Sequence, residues 1–389
     1  MMAARPKKQQ VVILFLVGAV FVQWLGSTAI VPWLPVYVHS LGASYGLAGI
    51  IMASFFIGSI AGQFALGRLA DRLHPRPLLV GACITYAVAS ILFVLVRTPM
   101  LFVLARGLQG VAAGGFDVVS AATIARITSG AMRGRAFALL MGAQGAGMAA
   151  GPMAGSLVIG VGLRALFVVV AALSVTAAGV VAFGLRPAAL SASAVEKVRL
   201  GMPRVVLGAV AASIGTGLIV GVYETVWTLY FHSRGAVVWQ IGLSWTSFSL
   251  GFILMSWPAG RMADRYDRRW LAFMGILGEA LFAFVYASIS GVWLILALSI
   301  FEGMAAALTE PALHSFLATS VAGEAVGRAE GVTLAAGAAA AGVGAILGGY
   351  LFGIGPNVPL YAAALLGVLP CLLLPVFWRG LPGRTAPSG

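Results

Sequence analysis

Gly67-Arg68-Leu69-Ala70-Asp71-Arg72 returns, with one change, 193 residues later as Gly260-Arg261-Met262-Ala263-Asp264-Arg265. The same offset aligns Tyr37-Val38-His39-Ser40-Leu41-Gly42-Ala43 with Tyr230-Phe231-His232-Ser233-Arg234-Gly235-Ala236, and Gly134-Arg135-Ala136 with Gly327-Arg328-Ala329. Chance matches would not share an offset, so the chain reads as one unit duplicated within its 389 residues.

Composition says where that unit lives. Hydrophobic residues make up 61% and charged residues 9%, against about 25% charged in an ordinary globular protein. With 51 Gly and a mean hydropathy of +1.02, this chain buries small-residue faces in lipid. A soluble enzyme, a disordered chain and a secreted disulfide scaffold are excluded. Cys83 and Cys371 both lie inside apolar runs, and no structural disulfide is expected. The net charge of +13 comes from short clusters between apolar runs, not from one basic face, which speaks against nucleic acid. The sequence contains no phosphate-binding Gly-rich loop and no zinc-ligand helix.

A bilayer core of about 30 Å needs about 20 apolar residues per helix. Twelve runs meet that need, near 11–36, 45–69, 77–96, 99–126, 135–160, 163–185, 204–231, 240–262, 270–289, 292–319, 329–353 and 358–378. The first run is too long for a cleaved leader, so it is expected to be retained. With the N-terminus in the cytoplasm, 20 of the 24 Lys and Arg residues fall inside, and only Arg97, Arg164 and Arg234 fall outside. That bias orients both termini to the cytoplasm of a prokaryotic-type plasma (inner) membrane. Six spans separate the repeats, so the two halves share one orientation. The expected organisation is an N-terminal six-helix bundle (1–185), a cytoplasmic linker (186–203) and a C-terminal six-helix bundle (204–389).

On these residues the chain resembles the major facilitator superfamily, specifically its twelve-helix drug:proton antiporters. Gly67 to Arg76 is similar to that superfamily's loop signature between helices 2 and 3, with His74-Pro75 where the family usually has glycine. The resemblance implies a gating role for Asp71, Arg72 and Arg76, and for Asp264 in the second copy. Leu104-Ala105-Arg106-Gly107-Leu108-Gln109-Gly110 resembles the arginine motif of proton-coupled members. Gly147, Gly151, Pro152 and Gly155 resemble the antiporter motif, whose last glycine is here Ser156. Small residues four apart let helices approach closely, and a proline loosens one turn.

Of the 11 acids, Asp117, Glu224, Glu279, Glu302 and Glu310 fall within spans, together with Arg106. Each costs roughly 2.5 to 3.5 kcal/mol at mid-bilayer, so a polar pathway is expected. Arg106, Gly110, Ala113, Asp117 and Ser120 follow helical spacing along one stripe of the fourth span. The 193 offset maps Asp117 onto Glu310 and Gln109 onto Glu302. Helices 1, 4, 7 and 10 line the central cavity in the family, which places these residues there by resemblance, whereas helix 9, carrying Glu279, is usually peripheral. Glu310 precedes Pro311 and should sit at a kink, with His314 on its face. A carboxyl group in such surroundings can load and release a proton near neutral pH. Asp117, Glu310 and Glu224 are the expected carriers, with Arg106 as a fixed cation tuning them.

Trp24, Tyr223, Trp227 and Trp245, with Gln109, Glu224, Glu302 and Glu310, are the expected substrate contacts. Aromatic faces bind flat lipophilic cations through apolar and cation–π contact, and five acids against one arginine disfavour an anion. The expected activity is secondary active efflux of lipophilic cationic or neutral small molecules by alternating access, in exchange for protons. A proton-coupled importer of a sugar or other nutrient, or a lipid or glycolipid flippase, remains an alternative in the same fold. An intramembrane enzyme is disfavoured because its four histidines are scattered, and a non-transporting sensor is a weaker reading. Partners are the small-molecule substrate, protons and membrane lipid, without nucleic acid, metal or cofactor, and a monomer is expected.

Overall fold

The computed structural model describes residues 4–185, 203–321 and 323–379. The expected linker, but for Pro203, lies outside them. In hydrocarbon every backbone N–H and C=O must find its partner within the helix, and the described residues are helical with no strand. The order is α1 (Ala4–Ile30), α2 (Leu34–Ser40), α3 (Tyr45–Ala70), α4 (Pro75–Leu95), α5 (Leu101–Ile127), α6 (Gly130–Ile159), α7 (Leu163–Gly184), α8 (Arg204–Ser233), α9 (Val238–Arg265), α10 (Arg268–Ser288), α11 (Val292–Ala306), α12 (Thr309–Ser320), α13 (Gly323–Phe352), α14 (Val358–Cys371) and α15 (Leu374–Phe377).

Eleven stretches are long and apolar enough to cross a membrane, the pairs α11–α12 and α14–α15 each counting as one. The remaining expected span is α6, which has the length, 30 residues, but whose repeated glycines and Gln144 lower its hydropathy. Proline explains the interrupted spans. Pro32 and Pro35 separate α1 from α2. Pro311 cannot bond back to the carbonyl of Ala307, and the tenth span breaks there into α11 and α12, leaving Glu310 in the first turn of α12. Pro375 likewise follows the break before α15.

The described residues fall into two units, one within Met1–Gly42 and Ser54–Glu196, the other within Ala43–Ala53 and Lys197–Gly389. The first turns of α3 therefore belong with the second unit, where the Gly349 Cα lies on the Tyr45 carbonyl and Gly49 backbone.

Inside each unit the helices meet along glycine seams. In the first, Gly147, Gly151 and Gly155 of α6 lie against α1. A Cβ at Gly147 would stand 2.9 Å from the Leu25 nitrogen, one at Gly151 2.8 Å from the Leu25 carbonyl, and one at Gly155 would collide with the Ala29 carbonyl. Gly58 and Gly62 of α3 press on Gly107 and Val111 of α5, and Gly110 and Gly114 of α5 press back on Phe55 and Ser59. The second unit repeats the pattern: Gly344 and Gly348 of α13 lie on Leu218 and Val222 of α8, and Gly251 of α9 lies on Ile300 of α11. Gly344, Gly348 and Gly251 are the residues 193 after Gly151, Gly155 and Gly58. A tyrosine tie repeats with them: Tyr37 Oη donates to the Phe93 carbonyl at 2.9 Å, and Tyr230 Oη to the Tyr286 carbonyl.

Overpacking a seam of this kind costs about 1 to 3 kcal/mol. Gly151→Val is therefore expected to lower the midpoint of thermal unfolding in detergent. Gly142→Ala on the same helix, where nothing lies within 4 Å of an added Cβ, leaves it unchanged or slightly raised.

Candidate functional site

The first unit positions Asp117 where three spans converge. Asp117 lies midway along α5 and is half-buried. Trp24 of α1 donates its indole N–H to Asp117 Oδ1 at 2.9 Å, and Gln144 Nε2 of α6 approaches the same oxygen at 3.4 Å. Both donors are uncharged, so the carboxylate is solvated by dipoles without a counter-ion in contact. Thr28, one turn beyond Trp24, donates to the Trp24 carbonyl at 2.7 Å and the Gly147 carbonyl at 3.1 Å. α1, whose Trp24 donates to Asp117, thus packs directly on the glycine seam.

Arg106 shares the predicted stripe but has other neighbours. It is 1% exposed, its guanidinium lies 4.3 Å from the centre of the Phe55 ring, and Nη1 donates to Gln109 Oε1 at 2.9 Å. Gln109 Nε2 passes the chain on to Ser90 Oγ at 2.9 Å. Nε and Nη2 of Arg106 have no hydrogen-bond partner among the described residues. The stripe therefore splits, with Arg106 packed towards α3 and α4 and Asp117 towards α1 and α6.

In the second unit Tyr223 and Trp227 of α8 stack at 5.1 Å, and Trp227 also meets the Tyr286 ring at 5.2 Å. Trp227 is buried and its indole N–H goes to Ser244 Oγ at 2.9 Å, which makes it a packing residue in this arrangement. Trp24, Tyr223, Trp245 and Glu224 keep partly exposed surface, whereas Gln109 and Glu302 are closed in. Glu302 accepts from Tyr286 Oη at 3.0 Å. Glu310 is exposed, and His314, one turn further along α12, contacts Glu330 at 3.2 Å while lying within electrostatic reach of Glu310. Glu279, expected on a peripheral helix, is buried inside the unit at 6% exposure. Charge alone gave no way to rank it above the other intramembrane acids, because the face of α10 that meets its neighbours is set by packing.

A family model described as Major Facilitator Superfamily matches residues 16–203 and 205–389. The chain belongs to that superfamily. It is a multi-pass membrane transporter with the superfamily's helical fold. Multidrug resistance protein 2 of Bacillus subtilis (strain 168) is 23% identical over 386 residues, covering 96% of each chain. Tetracycline resistance protein, class D, of Salmonella ordonez is 26% identical, over 73% of this chain and 74% of its own. Among solved structures, a bacterial homolog of the human lysosomal transporter Spinster superposes with a TM-score of 0.82 at 12% identity, over 98% of this chain and 99% of its own. The nucleoside transporter NupG superposes with a TM-score of 0.78 at 14% identity, over 95% and 100%.

The repeated Gly-Arg-x-Ala-Asp-Arg segment is built differently in its two copies. In the first unit Arg126, at the end of α5, donates to the Ala70 carbonyl at 2.6 Å and lies 3.5 Å from Asp71. The residue 193 after Arg126 is Thr319, which carries no charge. In the second unit a buried arginine from a different helix, Arg268 at the start of α10, donates to the equivalent Ala263 carbonyl at 3.0 Å and to Thr319 Oγ1 at 2.8 Å. Sequence reading had counted Arg268 only among the basic residues of the loop. Asp264, exposed, has no salt bridge among the described residues, while Arg72 is exposed and Arg76 half-buried.

Asp71 is 53% exposed and Arg126 14%, so the ion pair contributes at most about 1 kcal/mol after solvent screening. A charged donor closing a helix-end carbonyl is worth about 1.5 to 3 kcal/mol. Thermal unfolding in detergent should therefore show Arg126→Ala clearly less stable than Asp71→Asn, although both remove the same ion pair.

Proposed function

We propose that this transporter is a proton-coupled efflux carrier, an antiporter that works by alternating access and moves lipophilic, cationic or neutral small molecules outward in exchange for protons. The observation that carries the reading is the Trp24–Asp117 hydrogen bond. It ties a titratable carboxylate on α5 to α1, and α1 lies on the Gly147, Gly151 and Gly155 seam of the antiporter motif. Protonation of Asp117 turns a charge-assisted bond of about 1.5 to 3 kcal/mol into a neutral one of about 0.5 to 1.5 kcal/mol, which loosens α1 from α5. A ligand shifts a carrier between states only by its differential affinity for them, and this contact gives the proton a differential contact to act on. A cation in the same region favours ionised Asp117, so cargo and proton compete.

Within the second unit, partly exposed Tyr223 and Trp245 offer ring faces to a flat apolar cargo, with Glu224 next to Tyr223 in the chain, and within the first unit Trp24 is likewise partly exposed. The printed names of the Bacillus and Salmonella relatives, multidrug and tetracycline resistance proteins, fit outward transport of such compounds. Asp71, Arg72, Arg76 and Asp264 serve as gate residues, and Glu310 and Glu224 as further proton carriers. The excess of basic residues on one set of loops supports cytoplasmic termini in the bacterial inner membrane.

The test uses everted membrane vesicles with an acid interior. Wild-type protein is expected to drive a lipophilic cation such as tetraphenylphosphonium into the lumen. Asp117→Asn should reduce uptake to the leak of vesicles lacking the protein. Trp24→Phe keeps the ring and removes the N–H, so it should retain uptake but shift its pH dependence. Wild-type rates in Asp117→Asn would overturn the assignment.

A further inference from the structure

The repeat places one buried polar niche in each unit and fills the two with opposite charge. In the first, Tyr86, Ser90, Arg106 and Gln109 occupy α4 and α5. The offset of 193 turns these into Glu279, Ala283, Ser299 and Glu302 on α10 and α11. One niche therefore holds a guanidinium and an amide, and the other holds two carboxyl groups.

Glu302 is 2% exposed and Glu279 6%. Tyr286 Oη donates to Glu302 Oε2 at 3.0 Å, while Glu302 Oε1 is buried without a hydrogen-bond partner. The Tyr223 hydroxyl is directed at the same carboxyl group without completing a bond of ordinary geometry. Glu279 lies within electrostatic reach of Glu302 and of Glu310 on α12. The other titratable groups facing the pair are Tyr286 on α10, Tyr223 on α8 and Cys371 on α14. On α9, Arg261, Asp264 and Arg265 stand at the far end from the tyrosine cluster, and Ser244 is uncharged. Among the described residues neither glutamate has a basic partner within salt-bridge distance. Two ionised carboxylates here would carry both their mutual repulsion and their lost hydration, with nothing to offset them.

We propose that Glu302, enclosed in the second unit beside Glu279, is a proton-binding site, with the proton held on Glu302 Oε1, and that the transport cycle loads and unloads this proton. Tyr286 already donates to Oε2, which leaves Oε1 as the atom to be protonated and the Tyr223 oxygen as its acceptor. Glu302 sits about one turn before the break between α11 and α12, so its charge bears on the half-helix that ends there. The second half of the proposal rests on the proton-coupled reading above; the existence of the site does not.

The experiment takes infrared spectra of the purified full-length protein in lipid nanodiscs across pH. At neutral pH the wild type should show the carbonyl stretch of a protonated carboxyl group. Glu302→Gln should remove the part of that band that comes from Glu302, leaving at most that of Glu279, and Tyr286→Phe, which deletes one hydrogen bond, should shift its frequency. Glu279→Gln relieves the repulsion, so the remaining band should vanish at a lower pH than in wild type. A neutral-pH band that is unchanged in Glu302→Gln, or that does not move in Tyr286→Phe, overturns the site. In proteoliposomes Glu302→Gln, shown to be folded by a wild-type elution profile and thermal unfolding midpoint in detergent, should lose tetraphenylphosphonium accumulation driven by a pH gradient. Full accumulation in that variant overturns the coupling role. If wild type itself accumulates nothing, proton-coupled efflux fails and the coupling role with it, and the infrared result still decides the site.

Discussion

Lipid tails solvate an apolar side chain as well as a neighbouring helix does, so helices in a bilayer gain from each other mainly by approaching closely enough for backbone contact. Everything in this protein depends on the places where a Cβ is missing. Gly151 and Gly155 let α6 reach the α1 backbone, and Gly344 and Gly348 do the same for α13 and α8. Such an interface has no interlocking side chains to define one depth of engagement. It can slide or tilt at small cost, which suits a carrier that must change state without dismantling its core. Pro152 remains inside a continuous α6, a point where that helix can bend without ending.

Much of this architecture was legible before any coordinates. The shared offset paired segments that the structure shows doing the same work: Tyr37 and Tyr230 lie in the repeated outer segments and make the same bond to the carbonyls of Phe93 and Tyr286. The break beside Glu310 followed from Pro311 alone. Partnerships between distant segments were not legible. Helical spacing put Arg106 and Asp117 on one stripe, yet a stripe on a helix inside a bundle meets different neighbours at different depths. Phe55 faces one and Trp24 the other. Glu279 was hidden for the same reason, since an acid in an apolar run gives its depth but not the side from which it is covered. Arg268 was hidden by abundance: among many loop arginines, nothing in the chain marks the one that turns inward to close a helix end.

The two units also handle buried charge by different physics. Arg106 is delocalised and weakly hydrated, and it can rest on the Phe55 face with a single strong acceptor in Gln109. A carboxylate has no comparable way to spread its charge and needs donors. Asp117 finds two, in Trp24 and Gln144. Glu302 finds Tyr286, and its other oxygen is left over. The arginine thus rests on a ring face and one acceptor, and the acids differ in how many donors each finds.

Gln109 and Glu302 occupy matching positions, and the codons for these two amino acids differ only in their first base. After an ancestral gene doubled, one nucleotide change was enough to turn an amide into an acid, or the reverse, inside a niche already shaped and shielded. The duplicated chain did not have to invent a chamber for its ionisable group. It inherited two copies of one and let them diverge in sign.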